Sequence, residues 1–179
     1  MTKNKMLLAL LAVVFLALPQ SLCAQFNWKY TVEKGKIVTE VPKRAPGQTT
    51  ALELTTPKMP VVRVGFVGLG MRGPGAVARW MHIPGIEVVA LCDYEAKRAE
   101  ACQKILRDNS MPAAAIYSGE EGYKELCKRK DIDLVYIATD WDHHFLVAKC
   151  AMENGKHAAI EVPSAINLRE IWTLIDLSE

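Results

Sequence analysis

The sequence predicts a doubly wound α/β domain, a parallel sheet with helices on both faces, over residues 61–179. Three observations carry that prediction. From Val61 onward short apolar runs alternate with longer amphipathic stretches, the order that lays strands side by side and returns the chain across the sheet through helices. The runs are continuously apolar, as in "VRVGFV" at 62–67 and "IEVVALC" at 86–92, so both faces of each strand are to be covered. Gly68, Gly70 and Gly73 stand as Gly-x-Gly-x-x-Gly directly after the first of these strands.

The chain opens on "MTKNKMLLALLAVVFLALPQSLCAQ". Lys3 and Lys5 precede an apolar run of 13 residues, Met6 to Leu18, short of the roughly 20 that a spanning helix needs. The small residues of "SLCAQ" offer cleavage after Ala24, so residues 1–24 read as a signal peptide and the mature chain as exported, periplasmic or extracellular, with no membrane span. A retained anchor is the alternative; a lipid-modified Cys23 is disfavoured because Leu22 is bulky for the preceding position. Residues 25–60 are polar, proline-bearing and weakly patterned, which suits an extended arm laid over the domain, with disorder as the alternative.

Within 61–179 the expected elements run in order. Val62–Val67 is a strand, and Met71–His82 a helix stopped by "IPG". Ile86–Cys92 is the second strand and Glu95–Asn109 a helix with apolar residues at helical spacing. A short strand near Ala115–Tyr117, a helix over Gly119–Lys130 and a strand over Ile132–Ala138 follow. His143–Asn154 is a helix closed by Gly155, Lys156–Glu161 the fifth strand, and Asn167 caps a last helix. The chain stops inside that helix, so the domain reads as truncated, with a C-terminal substrate domain absent.

Composition excludes some partners. Loss of residues 1–24 removes two lysines and leaves 20 basic and 20 acidic residues. A chain without net charge lacks the basic surplus that nucleic acids and anionic membranes recruit. Cys92, Cys102, Cys127 and Cys150 show no CxxC pair and no zinc spacing. Export would permit disulfides, but Cys92 lies in an apolar strand and Cys150 in an apolar helical stripe, so all four read as core residues and no metal is expected.

The glycine loop carries the chemistry. Gly68 permits a tight turn, Gly70 lets backbone amides approach a pyrophosphate, and Gly73 lets helix and strand pack closely. The phosphates then meet unpaired N–H groups and the positive end of a helix. Asp93 ends the second strand, 25 positions after Gly68. A carboxylate there accepts from the adenosine ribose hydroxyls and repels the extra phosphate of NADP, which makes this a Rossmann-type domain and NAD its cofactor. Lys97 and Arg98 are expected to form solvated pairs with Glu95 and Glu100. Met71 and Arg72, inside the loop, should touch the cofactor. "ATDWDHH" at 138–144 and "IEVPSA" at 160–165 end the fourth and fifth strands and face the same crevice. There Trp141 and His144 can pack on the nicotinamide ribose and Glu161 can accept a hydrogen bond from it, while Asp140 or Asp142 caps the helix. His143 reads as the ordinary member of the histidine pair.

In sequence, "GFVGLGMRG", "CD", "IATDWDHHFLVAKCAMENGKH" and "EVP" resemble the Gfo/Idh/MocA oxidoreductases over residues 61–179. Thr139, His144, Gly155, Lys156, His157, Glu161 and Pro163 keep that superfamily's pattern, but Asp140 replaces a proline and Val162 a lysine. In the superfamily's dehydrogenases that lysine handles the proton of the alcohol, which valine cannot. The loop, "WDHH", "EVP" and the arm "RAPGQTTALELTTPKM" together look like glycoside hydrolase family 109, NAD-dependent α-N-acetylgalactosaminidases. The resemblance implies that Met71, Arg72, Asp93, Trp141, Asp142, His143, His144, Glu161 and Val162 contact NAD. It implies no catalytic acid or base in residues 1–179, a glycoside substrate held by a further domain, and a closed redox cycle that needs no external NAD pool. A sugar or polyol dehydrogenase and a non-catalytic NAD-binding module are the alternatives. Homo-oligomerisation is left open.

Overall fold

A computed structural model describes residues 30–39 and 41–179; the expected signal peptide lies outside them. The chain divides into two compact units, one ending at Val41 and one running Pro42–Glu179. In the first, β1 (Tyr30–Glu33) pairs antiparallel with β2 (Lys36–Thr39), Tyr30 opposite Thr39 and Glu33 opposite Lys36. Lys34 and Gly35 join them with φ of 51° and 77°, both left-handed, as the tight turns that suit hairpin twist require. The hairpin is regular structure inside a stretch, residues 25–60, whose weak patterning predicts only an extended arm. Alternation in "TVEKGKIV" was the available signal, spread over strands of only four residues.

The second unit begins with residues 42–61, whose one regular piece is a 3-10 turn at Ala51–Glu53. Nine further elements follow: β3 (Val62–Val67), α1 (Gly73–Trp80), β4 (Ile86–Asp93), α2 (Ala96–Asp108), β5 (Ala115–Ser118), α3 (Gly122–Lys128), β6 (Leu134–Ile137), α4 (Trp141–Glu153) and β7 (His157–Ile160), before α5 (Leu168–Ser178). The five strands form one sheet in the order β5-β4-β3-β6-β7, every pairing parallel. The order reverses between β3 and β6, the switch point at which open α/β sheets bind ligands. The observed elements match the expected ones in kind and order; α1 starts two residues later than expected because Gly70–Arg72 belong to the loop.

Strand alternation divides the core. Val64, Phe66, Leu91 and Tyr136 point to one face, beneath Ala76 and Val77 of α1 and Ala99, Cys102 and Leu106 of α2. Val67, Ala90, Cys92, Val135 and Ile137 point to the other, against Leu126 and Cys127 of α3 and Val147, Ala148 and Ala151 of α4. Gly65 is small for this reason: a Cβ there would come within 2.9 Å of Leu126. At the amino edge Arg63 forks onto Asp133, its Nη2 2.6 Å from Oδ1 and its Nε 2.9 Å from Oδ2, which ties β3 to the turn before β6. Residues 42–61 run along the end of α5, where Arg44 grips Glu179 through Nε at 2.7 Å and Nη2 at 2.8 Å and the Ala51 N–H donates to the same carboxylate.

Candidate functional site

The carboxyl edge of the sheet opens into a cavity of about 810 Å³, within the roughly 300–1,000 Å³ of small-molecule sites. Three backbone ladders run past the strand ends to build it. Gly68 N–H donates to Cys92 O, Ala138 N–H to Val67 O and Glu161 N–H to Ile137 O, each at 2.9 Å. The glycine loop, the 138–144 segment and the 161–163 segment are therefore fixed side by side.

Each glycine of the loop meets a different constraint. Gly68 has φ +89°, and a Cβ on it would sit 2.5 Å from Ala138 C and Thr139 N. A Cβ on Gly73 would lie 2.2 Å from Gly68 O, so the start of α1 presses directly on the turn. Gly70 is different: the nearest atom to its Cβ position is Arg98 Nη1 at 3.6 Å. Its bare backbone faces open cleft, the volume a side chain would take from a ligand. Arg72 at the N-cap of α1 makes no side-chain cap hydrogen bond, so the first amides are left for a ligand, and the macrodipole there favours an anion. These features fit a dinucleotide pyrophosphate.

Asp93, 5% exposed, does more than line the pocket. Its Oδ2 accepts the Leu69 N–H at 2.6 Å and its Oδ1 the Glu95 N–H at 2.9 Å, with Arg98 Nη1 at 3.5 Å. The carboxylate thus clamps the glycine loop to the start of α2 while its remaining lone pairs stay available to ribose hydroxyls. Arg98 and Lys97 both pair with Glu95, at 2.8 and 2.6 Å, as expected; among the described residues neither forms the expected ion pair with Glu100.

At the other half, Asp140 caps α4, its Oδ1 accepting the N–H groups of Asp142 and His143 at 3.1 Å. His143 turns its Nδ1 back onto that carboxylate at 2.7 Å. Burial works to raise the Asp140 pKa, but the His143 contacts leave it below the usual carboxylate value. His144 is 2% exposed, with Nδ1 2.7 Å from Pro163 O and Nε2 3.1 Å from Thr139 O. It cross-links the two segments that edge the pocket, and both ring nitrogens are engaged by backbone. Glu161 is half-buried and accepts from the Tyr136 hydroxyl in a short hydrogen bond, whereas Val162 is 83% exposed.

Ten of the sequence-predicted residues line this one cleft: Gly68, Gly70, Met71, Arg72, Asp93, Trp141, His143, His144, Glu161 and Val162. Gly73 lies beneath it in the loop packing, and Asp142 falls outside the lining, turned away by the helical period while Trp141, His143, His144 and Val147 face in. Sequence reasoning missed Tyr94, Arg98, Glu120 and Tyr123 at the β4–β5 side. The strand-end rule applied to β5 and its following loop could have found the last two. Among the described residues no group of three His, Cys, Asp or Glu could hold a metal, and no helix is long and apolar enough to cross a membrane.

Comparison with known proteins agrees with this geometry. The Gfo/Idh/MocA family, described as an oxidoreductase family with an NAD-binding Rossmann fold, matches residues 62–179. A glycosyl hydrolase family 109 protein of Phocaeicola vulgatus is 67% identical over 167 residues, 92% of this chain and 32% of its own length. Another from Bacteroides thetaiotaomicron is 55% identical over 155 residues, covering 86% of this chain and 33% of that protein. The chain therefore spans about a third of the length of the curated relatives it matches. Among solved structures, a Lactobacillus casei myo-inositol dehydrogenase in complex with NAD(H) and myo-inositol superposes with TM-score 0.57 at 29% identity, covering 65% of this chain and 33% of that one.

Proposed function

The chain belongs to the Gfo/Idh/MocA family of NAD-binding Rossmann oxidoreductases, and from that premise we propose that it is the cofactor-binding part of an exported NAD-dependent glycoside hydrolase of the family 109 type. The substrate class is α-N-acetylgalactosaminides or related glycosides. The observation that carries this reading is Val162, an exposed valine at the cleft lip, where the dehydrogenases of the superfamily carry a proton-handling lysine; the high identity to family 109 proteins supports it.

When bound, NAD would supply reversible hydride storage at the sugar's 3-position, so that the chemistry would run with no net redox change. The residues of this chain do the holding. Gly68–Gly73 present amides to the pyrophosphate, Asp93 accepts from the adenosine ribose, and Glu161 accepts from the nicotinamide ribose. Trp141 and Val162, both exposed at the mouth, cover the cofactor's nicotinamide side from water. The acid and base of the cycle belong to the remaining two thirds of the length shared by the relatives.

The experiment uses the purified chain with NAD and p-nitrophenyl α-N-acetylgalactosaminide. The expected outcome is NAD binding by calorimetry with no p-nitrophenol released. Release of p-nitrophenol would overturn the division of labour, and NADH production from a free sugar or polyol would select the dehydrogenase reading, which the likeness to myo-inositol dehydrogenase favours.

A further inference from the structure

Tyr136 on β6 and Glu161 just past β7 are joined, the phenol donating to Glu161 Oε1. The tyrosine is 7% exposed, and its ring is wedged between two others. Phe66 lies 5.2 Å away at 45° and Trp80 4.9 Å away at 63°, while Phe66 and Trp80 meet edge-on at 5.7 Å. Phe66 comes from β3 and Trp80 from α1, the two elements that flank the glycine loop. A single aromatic cluster drawn from β3, α1 and β6 thus backs the Glu161 carboxylate through the Tyr136 hydroxyl.

We propose that Tyr136 is a positioning residue, which holds the Glu161 side chain aimed into the nicotinamide half of the cleft so that Oε2 remains free for a ribose hydroxyl. The proposal rests on the reading that Glu161 accepts from that ribose. The backbone of Glu161 is already fixed by its N–H bond to Ile137 O at 2.9 Å, but a glutamate side chain is among those that lose most rotamer freedom on being ordered. A buried donor that fixes the rotamer before the ligand arrives removes that cost from binding. Burial, with the Glu161 hydrogen bond second, pushes the Tyr136 pKa up to about 12, against a partial opposing pull from Arg79 and Arg72. The phenol therefore keeps its proton throughout the neutral range.

The test is calorimetry of the 179-residue chain with two probes, NAD and ADP, the second lacking the nicotinamide riboside. Tyr136→Phe keeps the ring packing and removes only the hydroxyl. It should weaken NAD about tenfold, as expected for a hydrogen bond to a charged group, and leave ADP unchanged. Glu161→Gln should weaken NAD at least as much, and the double variant no more than Glu161→Gln alone, because the two act as one unit. Unchanged NAD affinity in Tyr136→Phe overturns the proposal, and so does equal loss of NAD and ADP, which would mark a packing role. An unmutated chain that binds ADP and NAD equally well would sink the assignment of Glu161 to the ribose and the proposal with it. One that binds neither would sink the dinucleotide reading of the cleft itself.

Discussion

A buried carboxylate that accepts two backbone amides is hard to replace, and Asp93 is such a residue. With Leu69 N–H on one oxygen and Glu95 N–H on the other, Asp93→Asn can satisfy only one of them and turns an NH₂ group toward the second. The unsatisfied buried donor costs about 1–3 kcal/mol. The expected outcome is a lower urea midpoint with an unchanged slope, together with at least tenfold weaker NAD binding by calorimetry. Loss of NAD affinity at full stability would mean that the carboxylate touches only ligand. At this scale the sequence was informative where position in the chain determines the role. Gly68, Gly70, Gly73 and Asp93 are readable because a strand end and a helix start define them. The clamp from Asp93 to Leu69 was not readable, since it depends on two loops meeting in space. Nor was the orientation of the histidine pair. His144 is anchored by Pro163 and Thr139 carbonyls, partners 19 and 5 residues away that no periodicity reveals.

Among the elements, β3, β4, α2 and α4 were legible because each is apolar or periodic over six to thirteen residues. The hairpin β1–β2 was not, because its short strands are exposed at most positions and its turn uses Lys34 before Gly35 in place of the commoner asparagine. The pairing of β3 with the start of β6 gives the pH prediction of this scale. The Arg63 guanidinium beside Asp133 holds that carboxyl below its usual value. A carboxylate with a depressed folded pKa contributes stability above its unfolded pKa, near 4, and loses it as pH falls through the folded value. Asp133→Asn should therefore lower the thermal midpoint by a few degrees at pH 7, and the gap to the unmutated chain should close below about pH 4. Thermal scans from pH 3 to pH 7 check this. A gap that stays constant with pH would assign the effect to packing and not to the ion pair.

For the Pro42–Glu179 unit as a whole, the cysteines make a built-in report on opening. Cys102, on the buried side of α2, packs on one face of the sheet, and Cys92 and Cys127 lie on the other. Burial pushes the Cys92 thiol up to about 12 and the Cys102 thiol to about 11, and raises Cys127 as well. At pH 8 a thiol with pKa 11 is ionised to roughly one part in a thousand, and the thiolate is the reactive form. In the native Pro42–Glu179 unit an aromatic disulfide reagent should therefore label half-buried Cys150 within minutes and leave Cys92, Cys102 and Cys127 intact, Cys23 of the expected signal peptide being counted apart. If the two faces form one cooperative unit, Cys92, Cys102 and Cys127 should react with a common rate set by opening of the whole domain. NAD adds a discriminating arm. Cys92 lines the cleft but Cys102 does not, so slower labelling of Cys102 cannot come from a bound ligand shielding it. Binding to the native state alone lowers the open population by the factor 1 + [L]/Kd, and NAD at a hundred times its Kd should slow Cys102 labelling about 100-fold. Protection of Cys92 without protection of Cys102 would show that the cleft is covered while the opposite face opens independently, and the single cooperative core would have to be abandoned.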